Sequence, residues 1–170
     1  MQELDTVNNV PIADISQVPP AGRLLSLDPG TKRIGVAICD ELRVTTRPLD
    51  VITRTNWKSL LLSVKTIVAE FDAKALVIGL PLESDGTESE MSTYARDLAR
   101  KFALSLDIPV VLQDERNTSY EAKSRLWSEG AAADTRDKVD SAAAAIILAD
   151  LIDRLPPKPS SDPFCDTNNT

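Results

Sequence analysis

Leu24-Leu25-Ser26-Leu27-Asp28-Pro29-Gly30-Thr31-Lys32-Arg33-Ile34-Gly35-Val36-Ala37-Ile38 decides the fold of this chain. Two short apolar runs flank a compact polar turn, which reads as two strands joined in a hairpin, and the first strand ends on an acid, Asp28. Downstream, Val44, Thr45 and Thr46 favour extended backbone, so a third strand is predicted over Arg43 to Leu49. Helical spacing follows from Asn56 to Phe71 at Leu60, Val64, Ile67, Val68 and Phe71, with Asn56 as N-cap.

Ala75-Leu76-Val77-Ile78, ended by Gly79-Leu80-Pro81, is an unbroken apolar run of the kind found in parallel strands covered on both faces. A helix is predicted from Ser89 to Ser105 and a further buried strand over Pro109-Val110-Val111-Leu112. Thr118-Ser119-Tyr120-Glu121 matches a capping box opening a helix towards Gly130. An alanine-rich helix is predicted from about Asp137 to Arg154, where small side chains permit close approach to a neighbour. Alternating strand and helix signals indicate an α/β sheet.

Both ends differ from this body. Met1 to Gly22 is polar and contains Pro11, Pro19 and Pro20, while Leu155 to Thr170 is rich in Pro, Ser, Asp and Asn; both read as disordered extensions around one domain at 23–154. A chain of 170 residues with 42% hydrophobic and 26% charged residues has ordinary globular usage.

Several chemistries are excluded by composition. Histidine is absent, which removes imidazole bases, Ser-His relays and histidine metal ligands, so proton or metal chemistry must come from carboxylates. Cys39 and Cys165 form no CxxC, consistent with unpaired thiols in a reducing compartment. The opening MQELDTVNNV is acidic rather than basic and apolar, and no apolar run reaches membrane-spanning length, so a cytoplasmic location is expected. A net charge of -7 weighs against broad, sequence-blind affinity for nucleic acid.

Acids stand at three places where open sheets gather their sites: Asp28 after the first strand, Asp114-Glu115 after the last strand, and Asp140 opening the last helix. Alternation along a strand points Asp114 and Glu115 to opposite faces, and either could meet Asp28. The helix step Asp140, Ala144, Ile147, Leu151 places Asp140 at the head of an inward stripe. Clustered buried carboxylates repel, and a bound Mg²⁺ or Mn²⁺ is the natural compensation with oxygen ligands alone. Taken singly, each acid has a plainer explanation. Asp28 suits a turn before Pro29-Gly30, Asp137 or Asp140 suits a helix start, and Glu115 suits a pair with Arg116. Their coincidence at one end of the sheet favours the shared site.

Gly30-Thr31-Lys32-Arg33-Ile34-Gly35 offers amides, a hydroxyl and two cations suited to phosphate, although GxxxxGK[ST] is missing and no P-loop is present.

Leu27-Asp28-Pro29-Gly30-Thr31-Lys32-Arg33-Ile34-Gly35-Val36-Ala37 resembles the opening of the YqgF family, described as Holliday junction resolvases or pre-ribosomal RNA nucleases. Three further stretches agree in order: Val77-Ile78-Gly79-Leu80-Pro81-Leu82 with Asp85-Gly86-Thr87-Glu88, Asp114-Glu115-Arg116, and Lys138-Val139-Asp140-Ser141-Ala142-Ala143. The resemblance spans Leu24 to Asp153. It implies a ribonuclease H-like mixed five-stranded sheet, three strands antiparallel then two parallel, with helices on both faces. It also implies that Asp28, Glu115 and Asp140 are the catalytic, metal-binding acids, choosing Glu115 over Asp114.

The implied function is metal-dependent hydrolysis of phosphodiesters at the 5′ end of the pre-16S rRNA, or alternatively in branched DNA at a Holliday junction. Lys32, Arg33 and Arg116 are expected to contact backbone phosphates. Asn117 and the acidic Ala131-Ala132-Ala133-Asp134-Thr135 depart from the family pattern. Two other classes fit parts of the sequence: an ATPase of the actin and sugar-kinase type, whose first phosphate loop also carries Asp-x-Gly-Thr, and a non-catalytic ribosome assembly factor. The single short domain disfavours the ATPase, which needs two such domains around its nucleotide.

Overall fold

The computed structural model describes residues 12–83, 85–115 and 136–157. Five strands form one sheet: β1 (Leu24–Pro29), β2 (Arg33–Cys39), β3 (Thr46–Thr53), β4 (Ala75–Leu80) and β5 (Val110–Asp114), in the spatial order β3-β2-β1-β4-β5. β1 pairs antiparallel with β2 and parallel with β4, β2 pairs antiparallel with β3, and β4 pairs parallel with β5. Helices α1 (Trp57–Phe71), α2 (Glu90–Ser105) and α3 (Arg136–Arg154) complete the described fold. This is the mixed sheet, three antiparallel strands and then two parallel, with helices on both faces.

β1 is central, and both of its faces are covered. Leu25 and Leu27 join Leu76 and Ile78 in a layer under Leu60 and Val64 of α1 and Leu98 and Phe102 of α2. On the opposite face Leu24, Ala75, Val77 and Val111 meet Ile147, Leu148 and Leu151 of α3. Burying such side chains contributes roughly 1.5–3 kcal/mol each relative to exposure. Both helix starts follow the sequence: Asn56 accepts from the Ser59 N–H and Ser89 from the Ser92 N–H, capping α1 and α2.

The alanines of α3 serve close approach. Ala144 and Ala145 pack on Ala37, and the Ser26 hydroxyl donates to the Ala144 carbonyl at 2.7 Å. The Ser141 hydroxyl accepts from the Val36 N–H at 3.3 Å. Gly35 closes the fit, because a Cβ there would lie 2.0 Å from the Asp140 carbonyl oxygen. The start of α3 therefore rests directly on the β1–β2 hairpin, with Asp140 beside it.

Two expectations are corrected. The third strand begins at Thr46 rather than Arg43, because the Asp40 carboxylate accepts from the N–H groups of Leu42, Val44 and Thr45 and folds residues 41–45 into the hairpin loop. Arg43 adopts φ 58 there, and the β-propensity of Val44 yields to this local capture. The leading segment is also packed from Ile12 onward, not disordered to Gly22. Asp14 caps a 3-10 turn at Ile15–Gln17, the Ala13 N–H donates to the Val110 carbonyl, and Val18 is buried against the α3 layer. Arg43 holds the following stretch through the Pro19 and Gly22 carbonyls. These contacts are non-local and leave no period in the sequence.

The helix predicted from Thr118 and the tail beyond residue 157 lie outside the described residues. None of the described helices is long and apolar enough to cross a membrane.

Candidate functional site

Asp28 is one residue from the end of β1 and pairs in register with Gly35, so it is a strand residue and not a turn residue. Its side chain shares a face with Ser26 and therefore looks towards α3. On β5 the same alternation sends Gln113 and Glu115 to the α3 face and Asp114 to the other. Glu115 directly follows β5, its N–H donating to the Leu80 carbonyl at 3.1 Å. Between Asp28 and Glu115 runs β4, and there the chain places Gly79. A Cβ at Gly79 would lie 2.1 Å from Glu115 Oε1 and 2.6 Å from Ile147 Cδ1. The missing side chain lets the Glu115 carboxyl group lie across β4 and hydrogen-bond that of Asp28.

Two carboxyl groups share a hydrogen bond only if one keeps its proton. Burial raises the Asp28 pKa to about 7, and the neighbouring Asp140 charge adds to the rise. Burial first, then the charge of Asp28, raises Glu115 to about 8. The two titrate as a pair. Glu115 Oε1 is buried without a hydrogen-bond partner, and leaving an acceptor in that state costs about 1–3 kcal/mol. A cation placed against this oxygen would satisfy it and discharge the repulsion, so the donor set fits a hard divalent metal.

Asp140 lies one turn inside α3, which begins at Arg136, and so is not the helix cap. Its Oδ2 is 3.4 Å from Arg33 Nε in a part-exposed ion pair. Among the described residues no three acidic side chains are arranged as a ready ligand set. The structure thus unites Asp28 and Glu115 and brings Asp140 into the electrostatic range of Asp28 while Arg33 engages it. Lys32 is exposed in the β1–β2 turn, and Arg116 lies outside the described residues. Sequence pattern alone does not mark Gly79 as a site residue; a glycine near the end of a buried parallel strand is the available signal, and only the register of β4 and β5 gives it meaning.

A family model described as "RuvX: Holliday junction resolvase" matches residues 22–154. A protein of Anaeromyxobacter sp. (strain Fw109-5), named "Putative pre-16S rRNA nuclease", is 40% identical over 132 residues, covering 77% of this chain and 96% of that protein. One of Novosphingobium aromaticivorans with the same name is 43% identical over 136 residues, covering 79% and 86%. The solved structure of T. thermophilus RuvC in complex with a Holliday junction substrate superposes with a TM-score of 0.50 at 15% identity, covering 78% of this chain and 95% of that one, a likeness of fold. Its fold is thus that of the ribonuclease H-like resolvases, and by sequence the chain belongs to the RuvX family of Holliday junction resolvases, the YqgF family its opening motif resembles.

Proposed function

We propose that this chain is a divalent-metal-dependent nuclease acting on the 5′ end of pre-16S rRNA, with residues 23–154 as its catalytic unit. The observation that carries this reading is the buried Asp28–Glu115 pair with its unpartnered oxygen, which a cation would satisfy. The names of relatives that are 40% identical over 132 residues and 43% identical over 136 support this choice of substrate.

Asp28, Glu115 and Asp140 would hold the metal, with Mg²⁺ or Mn²⁺ matching an all-oxygen set. Such an ion supplies water activation and charge neutralisation at phosphorus. The protein's own contribution is positional. β1 and β5 fix two carboxylates from opposite sides of Gly79, and α3 carries the third. Arg33 pairs with Asp140 and would, with Asp140 holding a metal, contact substrate phosphate together with Lys32 and Arg116. A nuclease acting on such a substrate would work in the cytoplasm.

Purified Asp28→Asn tests the reading, since it keeps the shape of the side chain and weakens ligation. Cleavage of a pre-16S leader RNA with Mg²⁺ should fall by at least ~100-fold, a loss typical of removing a group that stabilises transition-state charge. Cleavage at the parental rate, against a mock purification, refutes the site assignment. A second reading, resolution of branched DNA, is favoured by the family description and is separated by offering a four-way DNA junction to the same proteins.

A further inference from the structure

Arg33, next to Lys32, is drawn to Asp140 and so stands on the α3 side of the site. A second arginine stands on the other side. Arg54 lies exposed just beyond β3, its N–H donating to the Lys32 carbonyl at 2.9 Å and its guanidinium to the Thr31 carbonyl at 3.3 Å. It is therefore latched to the turn that follows Asp28. The guanidinium carbon sits 3.7 Å from the ring centroid of Tyr94, in the first turns of α2. Tyr94 is itself packed against the core, so the platform is rigid.

Neighbouring cations at this end are answered by acids. Arg96 pairs with Glu88, and Lys101, which also lies 5.7 Å from the Trp57 ring, pairs with Asp97 at 3.1 Å. Among the described residues no carboxylate pairs with Arg54. A guanidinium stacked on an aromatic face is held flat, is weakly hydrated and keeps edge N–H groups available in a fixed fork, the geometry that suits a phosphate. In a chain of net charge -7, one such preorganised cation matters more than its share of total charge.

We propose that Arg54, stacked on Tyr94, is a nucleic-acid positioning residue that binds a backbone phosphate together with Lys32 across the turn from Asp28. The assignment rests on the nuclease reading. It extends the contact surface around the end of the sheet, from the α3 face that carries the acids to the α2 face, so that a strand crossing the site is gripped on both sides.

The test uses the full chain carrying Asp28→Asn, which prevents turnover, and a fluorescent RNA hairpin with a single-stranded 5′ extension. Adding Arg54→Ala should weaken binding about 10-fold and flatten the dependence of log K on log salt by about 0.7–0.9, the mark of one lost phosphate contact. Arg54→Lys, which keeps the charge, should recover most of the salt slope, and Tyr94→Ala should lose part of the affinity with Arg54 intact. In the otherwise native protein, Arg54→Ala should raise KM and leave kcat, whereas a merely structural tether would lower the melting temperature without changing the salt slope. Unchanged affinity and slope in Arg54→Ala overturn the proposal while the nuclease reading stands. A parent that binds neither this RNA nor a four-way DNA junction overturns both. If Arg54→Ala fails to fold, Arg54→Lys and Tyr94→Ala decide, and parental affinity in both rejects the contact.

Discussion

Gly79 holds open the space that Glu115 fills: a Cβ on Gly79 would stand 2.1 Å from Glu115 Oε1. A glycine in a central strand forfeits packing and backbone rigidity, so this position gives up local stability to let a carboxylate cross β4 and meet Asp28.

Gly79→Ala should therefore separate folding from function. The atoms a methyl group would meet, Glu115 Oε1 and Ile147 Cδ1, are ends of side chains that can turn away. The variant should unfold within about 1.5 kcal/mol of the parent in urea. Glu115 would be displaced from Asp28, and nuclease activity should drop by ~100-fold or more. An active Gly79→Ala enzyme contradicts the crossing of β4 by Glu115.

Gly35→Ala has the opposite outcome. Its new methyl group would meet backbone, the Asp140 carbonyl oxygen at 2.0 Å and the Ser141 nitrogen at 3.1 Å, and α3 cannot yield without leaving the hairpin. Destabilisation of about 3 kcal/mol or more is expected from overpacking at such a contact, with the hydrogen bonds from Ser26 and to Ser141 loosened together. Urea unfolding followed by circular dichroism measures it.

The metal-free protein should lose stability as pH rises. Ordinary values for the two carboxyl groups are 3.8 and 4.5, and the folded pair sits near 7 and 8. Across that window the folded state holds protons that the unfolded state has released, so the stabilisation is complete below about pH 4 and disappears as pH passes 8. Melting temperature should fall between pH 5 and pH 8.5, each ~1 kcal/mol lost appearing as about 2–4 °C. Added Mg²⁺ should restore it at the alkaline end. Glu115→Gln should flatten the profile and raise the melting temperature at pH 8 without metal, while abolishing the response to Mg²⁺. A flat parental profile removes the buried acid pair.

Asp114→Asn should be nearly silent in catalysis. The side chain points to the face opposite Asp28, from where its charge adds to that felt by Glu115. Activity within about 3-fold of the parent is expected, against a loss of ~100-fold or more for the adjacent Glu115→Gln. Parallel assays on one RNA substrate give the comparison.

Much of this protein was legible in the chain because the signals are local. The apolar runs before Asp28 and Gly79, the side-chain cap at Asn56, the helix start at Ser89, and the stripe Ala144, Ile147, Leu151 each express the period of one element, and the structure keeps them while carrying the two strands on to Pro29 and Leu80. The start of β3 was misplaced because Asp40 captures the following amides, a competition that propensity does not weigh. Packing of Ile12 to Gly22 was missed because its partners, among them Val110 and Arg43, are distant in sequence.

By itself the sequence determined the alternation of strands and helices, the leading hairpin and the acid near the end of the first strand, since hydrophobic period and turn chemistry act over a few residues; the order of antiparallel and parallel strands came only through the family resemblance. Residue pattern left Asp114 and Glu115 open and only the family resemblance chose between them, so it took the tertiary structure to bring Glu115 across Gly79, Arg33 against Asp140 and Arg54 onto Tyr94. Those choices depend on strand register and on backbone approach between segments distant in sequence, where a single missing Cβ determines whether two carboxyl groups can meet.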